Sequence, residues 1–183
     1  MGETPISILC GEDYWLWSFQ NYIRFNENGT GELVCASENW IGIGAEFDWK
    51  PQRSEKLDQF DIELTLTKRR SEMMRHPQLE RRTINEALLT DDAFLPKTYT
   101  VELEKGNFRE PLQSTFHPKE VDYETRYALR LTFNKSPYPP RHEWKQSEWG
   151  AQDQMRMWEW KDFCGRSSPE LKQADWRSNC VVS

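Results

Sequence analysis

The chain has 183 residues, with 24 Lys and Arg against 30 Asp and Glu and a formal net charge of −6. That length admits one domain, or two small ones, with a core that needs neither disulfides nor a metal to hold it. The acidic balance argues against a binder of phosphate backbones, so no nucleic-acid partner is expected, and nine Trp with 13% aromatic residues argue against disorder.

The N-terminal residues lack the basic and apolar regions of a secretory signal, and no stretch approaches the ~20 apolar residues of a membrane-spanning helix. A cytoplasmic protein is expected. Cys10, Cys35, Cys164 and Cys180 have no C-x-x-C spacing and no neighbouring His that would suggest zinc. In a reducing compartment they are expected as free thiols.

In chain order, residues 6–10 and 14–19 read as the first two strands. Residues 21–25 and 32–36 flank Asn26-Glu27-Asn28-Gly29-Thr30-Gly31, whose Asn-Gly step predicts a hairpin with a type I′ turn. Residues 41–49 alternate, with Gly42 and Gly44 on the polar side. Phe60-Asp61-Ile62-Glu63-Leu64-Thr65-Leu66-Thr67 alternates without a fault, and residues 99–104 and 127–133 repeat the pattern. Period-two alternation gives each strand one buried and one wet face, the signature of antiparallel sheets.

Residues 68–97 break this rhythm as an insertion with a short helix predicted over 79–89. Ser136-Pro137-Tyr138-Pro139-Pro140 is a rigid break. Beyond it lie Trp144, Trp149, Trp158, Trp160 and Trp176, with a further strand expected near 155–160. The expectation is a mainly β, antiparallel up-and-down barrel of seven to nine strands with one short helix. Residues 1–140 would form the barrel, and residues 141–183 a Trp-rich segment packed on it or completing it.

Three groups of residues carry a family likeness. They are Gly11 followed by Tyr14-Trp15-Leu16-Trp17, then Tyr22-Ile23-Arg24-Phe25-Asn26 through Asn28-Gly29-Thr30-Gly31-Glu32-Leu33, and residues 41–50 around Ala45-Glu46-Phe47-Asp48-Trp49. Over roughly residues 5–135 the chain resembles the lipocalin-like, or calycin, barrels, and in particular small fungal proteins of that type. The resemblance implies an end-opening apolar cavity and binding of a hydrophobic small molecule. It also implies, by analogy with barrels of fungal specialised metabolism, turnover as a cyclase or isomerase without a cofactor.

Under that reading Glu46 is the candidate general acid or base, paired with Asp48 near the barrel mouth. Trp17, Phe25, Phe47 and Trp49 would shape the cavity, and Arg24 would steady an anionic group. Each has a plainer alternative. Glu46 and Asp48 can belong to a wet outer face, the aromatics can be core, and Arg24, like Arg126 and Arg130, can be solvent-exposed or pair across strands with Glu32, Glu102 or Glu104. His76, His117 and His142 fall in loops without metal-ligand spacing, and no nucleophile-elbow, Walker or dinucleotide-binding motif occurs. No cofactor or metal is therefore expected. The rival reading is a non-catalytic module that contacts a protein partner.

The last four residues, Cys180-Val181-Val182-Ser183, fit a C-a-a-X prenylation box with Ser selecting farnesyl. Lipidation at Cys180 would allow peripheral membrane association, though one lipid chain holds only marginally without a second signal.

Overall fold

The computed structural model describes residues 4–37, 40–52, 59–72, 85–116, 119, 125–145 and 151–168. Eight strands among these close into a barrel: β1 (Trp15–Ser18), β2 (Asn21–Phe25), β3 (Thr30–Ser37), β4 (Trp40–Pro51), β5 (Gln59–Arg70), β6 (Lys97–Arg109), β7 (Arg126–Phe133) and β8 (Asp162–Ser167). Each pairs antiparallel with its sequence neighbour, and β8 returns to β1. The up-and-down β-barrel expected from the alternation is therefore present.

Residues 6–10 are helical and not a strand. In α1 (Pro5–Gly11), Pro5 opens the first turn and Thr4 caps it, its Oγ1 accepting from the Ser7 N–H at 3.1 Å. Pro supplies a helical φ at no cost in hydrogen bonds there, and the cap outweighs a short apolar run. Ile8 and Leu9 lie in the interior cluster, and the Leu9 carbonyl accepts from Trp15 Nε1 at 2.9 Å.

The β2–β3 hairpin forms where expected, but with a different turn. Gly29 has φ +80°, whereas Asn28 is not among the residues with positive φ. Asn28 Oδ1 instead accepts from the Thr30 N–H at 3.1 Å and the Thr30 hydroxyl at 2.7 Å. This side-chain turn keeps Asn28 right-handed and lengthens the loop to a type I turn followed by a left-handed glycine.

The strand expected near 155–160 is replaced by α3 (Ala151–Met155) and a 3₁₀ turn at Met157–Glu159, with the left-handed Arg156 (φ +49°) between them. The closing strand begins only at Asp162. Of the helix expected over 79–89, residues 79–84 lie outside the described residues. Asn85–Ala87 is a single 3₁₀ turn, and a second 3₁₀ turn occupies Asp91–Phe94. Asn85, left-handed and buried, turns its amide onto β4: Oδ1 accepts from the Gly44 N–H at 3.0 Å and Nδ2 donates to the Gly44 carbonyl at 3.2 Å.

The inward faces of the strands form one core. Phe60, Ile62, Leu64 and Leu66 of β5 meet Leu129, Leu131 and Phe133 of β7, and Ile43, Ala45, Phe47 and Trp49 of β4. Burying each large side chain of this kind contributes about 1.5–3 kcal/mol. Gly31 lies under the ring of Phe47, where a Cβ would stand 2.2 Å from Cζ and 2.3 Å from the Arg24 carbonyl oxygen. Only glycine allows that ring to lie across β3.

The Pro-rich break contributes a plug to this core. Tyr138 is 1% exposed, packs edge-on against Trp160 with ring centroids 5.6 Å apart, and donates from Oη to the Val34 carbonyl at 2.6 Å. Ser136 holds the approach, its Oγ donating to the Met157 carbonyl at 2.9 Å and accepting from the Tyr138 N–H at 3.2 Å. The prolines that interrupt the strand pattern thus aim a tyrosine into the barrel.

Candidate functional site

The structure divides the six candidate residues among three places. Phe25, Phe47 and Trp49 are inside, in edge-to-face contact: Phe25 stands 5.3 Å from Phe47 and 5.3 Å from Trp49. Trp49 Nε1 donates to the carbonyls of Asn26 at 3.2 Å and Thr30 at 3.0 Å, tying the hairpin to β4. These rings fill the interior and brace the fold.

Glu46 lies on the opposite face of β4, outside the barrel, because alternation sends it away from Phe47 and Ala45. Its Oε2 accepts from Arg69 Nε at 2.7 Å, and the same guanidinium reaches Asp48 Oδ1 at 2.5 Å. A role for Glu46 as acid or base within the barrel does not fit this placement. Arg24 is beside it on the outer wall, since Arg24 pairs with Glu32 and Glu32 with Glu46 across β2, β3 and β4. The three line a shallow cleft of about 190 Å³ together with Glu72, whose N–H donates to Glu32 Oε1 at 2.6 Å. Arg24 and Glu46 are brought together, but apart from the apolar residues they were expected to serve.

Trp17 is the one candidate that borders an open groove lined by both apolar and polar side chains. Its indole stacks on Trp160 with centroids 3.6 Å apart and an interplanar angle of 7°. The pair borders a groove of about 480 Å³. One wall is α2 (Pro111–Phe116), which packs against β1 and β8 and presents Pro111, Thr115 and Phe116. The other is the chain from Gln154 to Asp162, where Met155 and Trp160 are accompanied by Gln154, Arg156, Glu159, Lys161 and Asp162. Arg156 pairs with Glu159.

A second cleft of about 360 Å³ abuts the groove, and Pro111, Thr115 and Asp162 line both. Its floor is the outer face of β7 and β8, with Arg126, Arg130 and Cys164, and its side is Phe108 and Arg109 at the end of β6. Cys164 Sγ contacts the Arg109 carbonyl oxygen at 3.2 Å. Burial pushes its thiol up to about 12, so it stays protonated and unreactive near neutral pH. Cys35, deep in the barrel, is raised by burial as well, and Cys10 reaches about 11.

Sequence reasoning placed Trp160 only in the Trp-rich tail and not at a site, and it missed α2 and the two clefts. Trp17 and Trp160 are 143 positions apart in the chain, and only closure of the barrel brings them into contact. Among the described residues, no group of three or more His, Cys, Asp or Glu side chains could hold a metal. Of the histidines, His142 is exposed in a 3₁₀ turn at Arg141–Glu143, while His76 and His117 lie outside the described residues, as does Cys180. Among the described residues, no helix is long and apolar enough to cross a membrane.

No protein-family model matches the chain, and neither the curated proteins nor the solved structures contain a match to it.

Proposed function

We propose that this protein binds a hydrophobic, ring-bearing small molecule, and that it does so in the groove beside the Trp17–Trp160 stack rather than at the barrel centre. The observation that carries this reading is the groove itself: stacked indoles, Met155, Phe116 and Pro111 line a volume of about 480 Å³ together with the charged side chains of Arg156, Glu159, Lys161 and Asp162. Small-molecule sites combine apolar walls with polar anchors, and 480 Å³ falls within their usual range; here Trp17, Pro111, Phe116, Met155 and Trp160 share the lining with Thr115, Gln154, Arg156, Glu159, Lys161 and Asp162. The barrel centre offers less, since Tyr138, Phe25, Phe47 and Phe163 are fully buried there.

Kinship with the calycin barrels belongs to the same proposal, supported by the closed eight-stranded up-and-down order. If turnover accompanies binding, the carboxylates in reach are Glu159 and Asp162 at the groove. Farnesylation of Cys180 is a separate proposal resting on the C-a-a-X pattern. It would hold the protein loosely at the cytosolic face of a membrane, and intact mass against Cys180→Ser decides it.

The test of binding uses the neutral aromatic probe N-phenyl-1-naphthylamine, followed by its own emission and by quenching of Trp fluorescence. Saturable binding that weakens several-fold in Phe116→Ser is expected. Phe116 is 66% exposed, so this change leaves the core intact. Absence of saturable binding, or equal affinity in the variant, would overturn the reading. A second reading, a surface for a protein partner, is favoured by the exposure of Phe19 (87%) and Phe116 (66%). It predicts that Phe19→Ser and Phe116→Ser each weaken a partner complex without changing probe binding.

A further inference from the structure

The barrel end that carries the groove also carries the two most exposed large apolar side chains among the described residues. Phe19, 87% exposed, follows Ser18 in the two-residue turn that joins β1 to β2. β1 runs antiparallel to β8 with Leu16 opposite Cys164, so Ser18 and the turn after it lie beside Asp162 and Lys161. Both of these line the groove, as does Phe116 at the last position of α2. Phe19 itself is not part of that lining. It stands clear at the lip, a ring without a pocket next to a pocket walled by rings, and the water around it is released when it is covered. The turn that holds it is firmly built. Asn21 Nδ2 donates to Ser18 Oγ at 2.6 Å across the turn, and Asn21 Oδ1 accepts from the Ala36 N–H at 3.0 Å. The charges at the groove are balanced, Arg156 and Lys161 against Glu159 and Asp162, in a chain whose net charge is −6.

We infer that this face joins two copies of the chain, the Phe19 ring of each entering the groove of the other against Phe116. The inference rests on the reading of Phe19 and Phe116 as a partner surface and names the partner; it does not depend on small-molecule binding. A two-fold axis demands a self-complementary surface, so whatever one copy offers the other must receive. A knob and a pocket side by side at one lip meet that demand, because rotation about an axis between them exchanges the two. The charges meet it as well. Two acidic chains repel across most of their surfaces, whereas a neutral rim with both signs sets cations of one copy against carboxylates of the other. The groove, at about 480 Å³, has room for a phenyl ring and the backbone that carries it. Because the turn is already held by Asn21, little freedom is lost when the ring docks. Two rings and a rim make a small contact, so the dimer is weak, with a Kd on the order of tens of micromolar. Ring and small molecule would occupy one space, and each therefore opposes the other.

Sedimentation velocity of the full chain, from about 1 μM to about 1 mM, tests this. Wild type is expected to pass from one copy to two over that range. Phe19→Ser and Phe116→Ser should each weaken the dimer roughly a hundredfold, about tenfold for each of the two symmetry-related ring contacts. Both rings are exposed, so both variants should keep the wild-type urea midpoint. An equimolar mixture of the two variants is the sharpest arm. The mixed pair retains one contact, Phe19 of the Phe116→Ser copy in the groove of the Phe19→Ser copy. It should associate about tenfold more tightly than either variant does with itself. A wild type that remains a single copy at the highest concentration overturns the proposal and leaves the surface to a different protein. A dimer that Phe19→Ser does not weaken overturns it too, as does a mixture no tighter than its components. N-phenyl-1-naphthylamine that saturates the groove should return wild type to one copy, and a probe that binds without shifting the dimer would overturn the reciprocal insertion. The small-molecule reading is judged separately, by probe binding to dilute Phe19→Ser. If that variant binds no probe while wild type dimerises and the mixture rescues, the dimer stands and the small-molecule reading falls.

Discussion

Tyr138 decides whether this barrel is filled or hollow, and replacing it has a calculable cost. Tyr138→Phe removes only the Oη donor and leaves the Val34 carbonyl, reached at 2.6 Å, without that partner. A buried hydrogen bond of this kind is worth about 1 kcal/mol net, somewhat more when its acceptor is stranded. Tyr138→Ala also removes the ring from contact with Trp160 and Phe163. Truncating a fully buried aromatic costs about 3–5 kcal/mol, combining lost transfer energy with a cavity term that grows by ~24 cal/mol per Å³. With a urea m-value of about 2 kcal/mol/M, the alanine variant should unfold about 2 M earlier and the phenylalanine variant about 0.5 M earlier. Trp fluorescence reports the transition, because Trp160 stacks beside the plug. The cavity left behind is walled by Trp160 and Phe163 with the Val34 carbonyl at one end, so benzene should raise the melting temperature of Tyr138→Ala and not that of wild type. Equal midpoints for the alanine and phenylalanine variants would refute the reasoning, since the ring would then not be filling the barrel.

Gly31→Ala should cost at least 2 kcal/mol, because the new methyl overlaps the Phe47 ring at 2.2 Å and the Arg24 carbonyl oxygen at 2.3 Å; urea melts measure it, and a loss below 0.5 kcal/mol would contradict the close approach. Raising the pH above about 9 should destabilise the fold. Burial raises the Cys35 thiol and raises that of Cys164 to about 12, from 9.0. The unfolded chain therefore loses these protons first, and stability is level below pH 9 and falls above it. The slope should be about 1.4 kcal/mol per pH unit for each group ionised only when unfolded, with Tyr99 and Tyr138 adding to it above pH 10. Denaturation midpoints at pH 8, 9.5 and 11 check this, and a level series would count against it.

The strands were legible wherever one face had to be apolar and the other polar. β5 reads Phe60, Ile62, Leu64, Leu66 against Asp61, Glu63, Thr65, Thr67, and those four apolar residues are all buried. β8 was not legible, because Phe163 is its one large inward residue and Gly165 makes room for Trp15 rather than signalling a strand: a Cβ there would lie 3.1 Å from the indole. α1 was misread because Ile6, Ile8 and Cys10 alternate as a strand would, while the Thr4-Pro5 cap that overrides them is a two-residue signal. The candidate site shows the same limit. Alternation alone places Phe47 and Trp49 inside and Glu46 outside, so one β-strand cannot present all three to one ligand. Trp17 was found from its neighbours in sequence. Its partner Trp160 depends on register and closure, which local patterns do not carry.

That closure also bears on where binding belongs. β1 has four residues and meets β8 through one paired position, Leu16 with Cys164, whereas β3 and β4 pair along eight positions. A seam held by so few backbone bonds needs side chains and added elements to cover it. Here the Trp17–Trp160 stack and α2 supply that cover. They pack against the seam without filling it, and the groove and the arginine cleft are the space that remains between them. The long-paired side of the barrel has no such need, and its interior is solid with rings. A ligand entering the barrel centre would have to displace Tyr138 at a cost of several kcal/mol. A ligand at the seam displaces only solvent. The groove proposed for binding thus sits at the shortest pairing of the sheet, and ligand bound there should protect β1 and β8 amides from hydrogen exchange more than those of β3 and β4.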